Sequence, residues 1–130
     1  MSASSTLVAG GATRSRVLTW AALGDSLTAG SRKGELTWAS ITARSLSSSD
    51  LELDLVCLAE PGATCSAVTD RQLEAAIAAD PQIVSLICGA NDVIGSVRPR
   101  VEVVASSLDG LWFSLRSALP AASMLTCTYP

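Results

Sequence analysis

Short apolar runs alternate with longer amphipathic or polar stretches along this chain, and that alternation predicts strands and helices in turn. Residues 17–23 form an apolar run of strand length that stops at Gly24-Asp25-Ser26. From residue 36 to 46, Leu36, Ala39, Ile41, Ala43 and Leu46 mark one apolar stripe, enough for a helix, and the polar residues 47–50 end it. Residues 51–58 alternate at first (Leu51, Leu53, Leu55) and then become continuously apolar. This pattern suits a second strand entering a sheet covered on both sides. Pro61-Gly62 breaks it. A helix carrying Leu73, Ala76, Ile77 and Ala78 is expected to start near Thr69 or Asp70 and to end before Asp80-Pro81. Residues 83–88 make the third strand, closed by Gly89. Val104, Leu108, Leu111, Leu115 and Leu119 recur at spacings of three and four, which predicts a helix over 101–119 stopped by Pro120. Residues 124–128 begin a fourth strand. Residues 1–15, rich in Ser, Gly, Ala and Thr and without periodicity, read as a mobile leader before a single domain over 16–130.

Strands that alternate with helices call for a parallel sheet with right-handed crossovers and helices on both faces. The expected fold class is therefore α/β, a three-layer α/β/α arrangement. Ligand sites in such sheets lie beyond the carboxyl ends of the strands. The polar, glycine-containing segments 24–26, 61–64 and 89–92 all fall there, so three loops share one rim. A chain ending on an apolar strand leaves an open sheet edge, and self-association through that strand is expected. The expectation is also that the domain is incomplete at its C terminus.

Composition narrows the picture. With 130 residues, 48% of them apolar, the chain can bury one substantial core but not two. The formal charge of −3 has no long charged block behind it. Arg14, Arg16, Arg32, Lys33, Arg98 and Arg100 form only small clusters and aromatic residues are scarce, so no nucleic-acid partner is expected. None of the four cysteines forms a CxxC pair and no histidine is present to complete a mixed zinc site. No metal or cofactor is expected. Cys57, Cys88 and Cys127 lie in strand-like runs and are expected to be buried thiols, whereas Cys65 is left open as a disulfide partner. No run approaches the roughly 20 apolar residues needed to cross a bilayer. A cytoplasmic location is the default, with secretion of a longer parent left open.

The stretch Ala22-Leu23-Gly24-Asp25-Ser26-Leu27-Thr28-Ala29-Gly30 resembles the first conserved block of the SGNH/GDSL hydrolases, serine esterases and lipases with a flavodoxin-like sheet. Pro61-Gly62-Ala63-Thr64 is similar to the second block in its glycine; the asparagine often found shortly before it is replaced here by Cys57-Leu58-Ala59-Glu60. Gly89-Ala90-Asn91-Asp92 matches the third block. The resemblance implies Ser26 as nucleophile, with an oxyanion hole made by the backbone amides of Ser26 and Gly62 and the side-chain amide of Asn91. It also implies a small-molecule ester as substrate. Asp25 and Asp92 are expected to support these loops, as turn-forming or bracing carboxylates. Asp54 and Glu60 are expected to face solvent.

The family's base is a histidine with an aspartate three residues before it, and these 130 residues contain no histidine. A serine hydroxyl is a weak nucleophile until a neighbour takes its proton. The expectation is a hydrolase of carboxylic esters in the full-length parent and an inactive chain here, with a non-catalytic ligand-binding remnant as the alternative. A phosphate- or flavin-binding domain fits less well, because residues 24–30 continue into neither Gly-Lys-Ser/Thr nor GxGxxG.

Overall fold

A computed structural model describes residues 16–127, so the expected leader over 1–15 falls outside the described residues. Four strands, β1 (Arg16–Gly24), β2 (Leu51–Cys57), β3 (Ile83–Ile87) and β4 (Ser123–Leu125), form one sheet in the order β2-β1-β3-β4. Every pairing is parallel. The chain steps from β1 outward to β2 and then returns across β1 to β3. Strand order therefore reverses between β1 and β3, the position at which open α/β sheets form a crevice at their carboxyl ends.

The period-two alternation of β1 builds both layers. Trp20 and Ala22 point to one face, where they pack with Ala39 and Ala43 of a helix, α2 (Trp38–Leu46), which follows the one-turn helix α1 (Ser26–Ala29). Ala21 and Leu23 point to the other face and meet Val84, Leu86, Val68, Leu111 and Leu115. That second layer consists of α3 (Cys65–Arg71), α4 (Leu73–Ala78) and α6 (Val101–Ala118), with the short α5 (Ala90–Ile94) at the rim. The three-layer α/β expectation is met. In α6, Leu111 and Leu115 are buried one turn apart, and Val104 and Leu108 extend the same stripe. Among the described residues, no helix is long and apolar enough to cross a membrane.

Several expectations need correction. The first long helix starts at Trp38, because Thr37 caps it: its hydroxyl accepts from the Ser40 N–H, and Ser40 Oγ accepts from the Thr37 N–H. Leu36 stays outside the helix and exposed. The second starts four or five residues before Thr69 or Asp70, at Cys65, because the Thr64 hydroxyl accepts from the Ala67 N–H; it is interrupted at Gln72. β2 is an edge strand in which no residue is fully buried, so Cys57 is exposed and not a buried thiol. Cys127, just past β4 at the opposite edge, is exposed for the same reason. β4 covers Ser123–Leu125 and so begins one residue earlier than expected and stops three residues sooner, while residue 128 lies outside the described residues.

Candidate active site

Three loops leave the carboxyl ends of β1, β2 and β3 and converge near Gly24. Its φ is +142°, and a Cβ there would sit 2.1 Å from the Ile87 carbonyl oxygen, so only glycine lets β1 run this close to β3. Asp25 follows, fully buried, with its N–H donating to the Ile87 carbonyl at 3.3 Å. Its carboxylate accepts from the Leu27 N–H at 3.0 Å, and its carbonyl accepts from Thr28 and Ala29. Asp25 thus caps α1, and Ser26 becomes the first helical residue. Ser26 is half-buried, and neither its N–H nor its hydroxyl is hydrogen-bonded among the described residues.

The second loop is stitched to β1 beyond the regular ladder. The N–H groups of Leu58 and Ala59 both donate to Ala22, and that of Glu60 donates to Gly24 at 3.0 Å. A turn closed by Ala63 N–H to the Glu60 carbonyl then carries Gly62 at φ +78°. A Cβ added at Gly62 would meet nothing within 4 Å, so the glycine answers a backbone requirement, not a crowded one. The Gly62 N–H also has no partner among the described residues.

The third loop is laced to the second by two side chains. Asn91 Nδ2 donates to the Ala63 carbonyl at 3.0 Å, and Asp92 Oδ2 accepts from the Cys65 N–H at 3.0 Å. One of the two N–H groups of the Asn91 amide is therefore spent inside the protein. The remaining carboxylate near the rim, Glu60, is half-exposed and pairs at the surface with Arg71 at 2.8 Å. Asp54, on β2, is exposed as expected. Asp25, Asp92 and Glu60 are thus all engaged with donors other than Ser26.

Gln72 is the site residue that the sequence did not reveal. It is fully buried at the break between α3 and α4, its Oε1 accepts from the Gly24 N–H at 2.9 Å, and its Nε2 donates to the Gly24 carbonyl at 3.0 Å. One amide thereby clamps both polar groups of the residue that precedes Asp25-Ser26. A polar residue interrupting an apolar helical stripe was the only signal for it. Beneath the second and third loops, Cys65 and Cys88 are buried with their sulfurs 3.8 Å apart. Burial pushes the Cys65 thiol up to about 11, with the neighbouring Asp92 charge adding to the rise and the contact with Cys88 opposing it. Burial, then the neighbouring Cys65, raises Cys88 still further.

Solved structures share this fold. A family 3 carbohydrate esterase from Clostridium thermocellum superposes with a TM-score of 0.71 at 20% identity, over 88% of this chain and 62% of its own. An acetylxylan esterase from Geobacillus stearothermophilus gives 0.68 at 18%, over 84% and 58%. The psychrotrophic esterase EstA from Pseudoalteromonas sp. gives 0.68 at 22%, over 83% and 57%. At these identities the likeness is one of fold, and the chain spans about three fifths of the length of such structures. A comparison with curated proteins found no match. The model of the GDSL-like Lipase/Acylhydrolase family matches residues 22–130, a stretch that starts just before Gly24-Asp25-Ser26 and takes in all three rim loops; the chain belongs to that family.

Proposed function

We propose that these residues are the nucleophile and oxyanion half of a serine hydrolase of carboxylic esters. The observation that carries the reading is the pair of N–H groups, on Ser26 and Gly62, that have no partner among the described residues, at the rim where the Ser26 hydroxyl is likewise without one. In the proposed reaction the Ser26 oxygen attacks the ester carbonyl, and the negative charge that develops is met by these amides and by the second N–H of Asn91. Each such donor is worth about 3 kcal/mol of barrier where it has been removed from other serine hydrolases. Collapse of the tetrahedral intermediate expels the alcohol and leaves acyl-Ser26, which water then hydrolyses.

The proton of Ser26 needs an acceptor. The chain has no histidine, and the nearby carboxylates are held by Leu27, Cys65 and Arg71. We therefore infer that the base is supplied from outside these 130 residues, in a longer parent, and that the chain alone does not turn over esters. The lack of a base also favours a second reading, in which free amides hold a carboxylate or carbonyl ligand without chemistry.

The two readings separate on the source transcript and its product. If the frame continues past codon 130 into an Asp-x-x-His block, the longer product should hydrolyse p-nitrophenyl acetate, and Ser26→Ala should lower its kcat by at least about 10³-fold. A longer product whose activity survives Ser26→Ala would sink the proposal. A stop after codon 130, with acetate binding to the chain weakened by Gly62→Pro, would leave only the ligand-binding reading.

A further inference from the structure

Cys65 and Cys88 flank the two loops that the site brings together. Cys65 follows Thr64 at the end of the second loop, and Cys88 precedes Gly89 at the start of the third. Both are buried, with 1% and 5% of their surface exposed, and they lie 23 positions apart in sequence. Their sulfurs are 3.8 Å apart and both are free thiols. A disulfide bond is about 2 Å long, so bonding needs the sulfurs to approach by less than about 2 Å. Cys57 and Cys127 stand at opposite edges of the sheet and offer no competing pair.

We propose that Cys65 and Cys88 form an oxidisable dithiol, which a low-molecular-weight disulfide converts into an intramolecular bond tying the second rim loop to the third. The route to Cys65 is the groove between α3 and α6, about 390 Å³ in volume and lined in part by Cys65, Ser66, Thr69, Ser107 and Ser114; with Cys65 only 1% exposed, the reaction requires α3 and α6 to part locally. Cys65, which burial keeps protonated near neutral pH, loses its proton when the groove opens to water; its thiolate attacks one sulfur of the small disulfide, the S–S bond breaks, and one small thiolate leaves. Cys88 then attacks the Cys65 sulfur of this mixed disulfide and expels the second thiolate. The two protons given up by the cysteines end on the two leaving thiolates. Two electrons pass from the protein sulfurs to the small disulfide, which is reduced to two thiols.

The new bond would make covalent a junction now held by the Asn91 contact to Ala63 and the Asp92 contact to Cys65. It also closes a chain loop, which stabilises the fold chiefly by restricting the unfolded chain. This inference goes beyond the ester chemistry and holds whether or not Ser26 is a nucleophile.

The test uses the full 130-residue chain carrying Cys57→Ser and Cys127→Ser, incubated folded with oxidised glutathione. Both free thiols should disappear, the intact mass should fall by two hydrogens, a Cys65–Cys88 peptide should appear in a non-reducing digest, and Tm should rise by several degrees. Thiols that persist in the folded chain while the urea-unfolded chain loses them would overturn the proposal. So would reaction that stops at a glutathione adduct or that links one chain to another. If the double variant does not fold, the same digest of the unsubstituted chain decides: Cys65–Cys88 should dominate under folding conditions but not in urea, and equal pairing in both would overturn it.

Discussion

Leucine in place of Gln72 would keep much of the volume and remove both hydrogen bonds to Gly24. The Gly24 carbonyl would retain the Glu60 N–H, but the Gly24 N–H would be left buried without a partner. Stranding one such group costs about 1–3 kcal/mol. Gln72→Leu is expected to destabilise the fold by about 2 kcal/mol in urea titration, whereas Gln82→Leu, which removes an exposed acceptor from the Thr19 N–H, should cost less than about 1 kcal/mol. Equal costs would mean that burial of the amide is not what matters. The thiols make a prediction of opposite chemical character. Cys65, whose ordinary value is 9.0, is raised to about 11 in the folded chain by burial first. Above the unfolded value the unfolded chain gives up the proton and the folded chain keeps it. The contribution of this thiol to stability is therefore fully present below about pH 9 and is lost as pH rises toward about 11. Unfolding midpoints measured across that window should fall in the unsubstituted chain and fall less in Cys65→Ala, while Cys57→Ser should follow the unsubstituted curve. Neither effect was legible in sequence: Gln72 is one polar residue among many, and Cys65 was only an open disulfide candidate. That Ser26, Gly62 and Asn91 share one rim was legible because each sits in a short block at a strand end.

At the scale of elements, legibility followed the physics that defines each one. β1 and α6 were readable because their patterns are set by burial: β1 runs apolar through its buried second half, Trp20 to Gly24, and α6 buries one stripe at helical spacing. β2 was misjudged in its surroundings, since its continuous apolar end suggested two covered faces and it lies instead at the sheet edge. Only the strand order, a long-range fact, distinguishes these cases. The helices α1 and α5 were missed because they are single turns that bury almost nothing, and capping and loop contacts place them. The start of α3 was readable in principle from Thr64, whose hydroxyl meets the Ala67 N–H. The apolar stripe carried the eye instead to Leu73 and beyond, across a break made by a buried amide. Hydrophobic periodicity reports which face is covered, and it is silent where a polar side chain turns inward to hold another element.

At the scale of the whole molecule, the two faces of the sheet are covered unequally. On one face α3, α4 and α6 cover β1 and β3. On the other, α2 packs over β1 and β2, and the region beyond it is an open apolar trough of about 440 Å³ whose wall includes Leu27, Trp38, Ile87 and Leu125. Leu27 and Leu125 are each about half exposed, and β4 pairs only with β3 among the described residues. An unpaired strand edge beside exposed apolar side chains favours pairing with another chain, and a lysine on such an edge opposes it. The 130-residue chain is therefore expected to self-associate, with its sedimentation coefficient rising with concentration. Leu125→Lys adds charge at the exposed edge without emptying a core position, and should weaken association about tenfold, equivalent to about 1.4 kcal/mol. Phe113→Lys, on the outer side of α6 and also exposed, should leave association unchanged if the contact runs through β4. Equal loss in both variants would mean that general surface hydrophobicity drives association, and a concentration-independent monomer would mean that the exposed β4 edge recruits no partner strand.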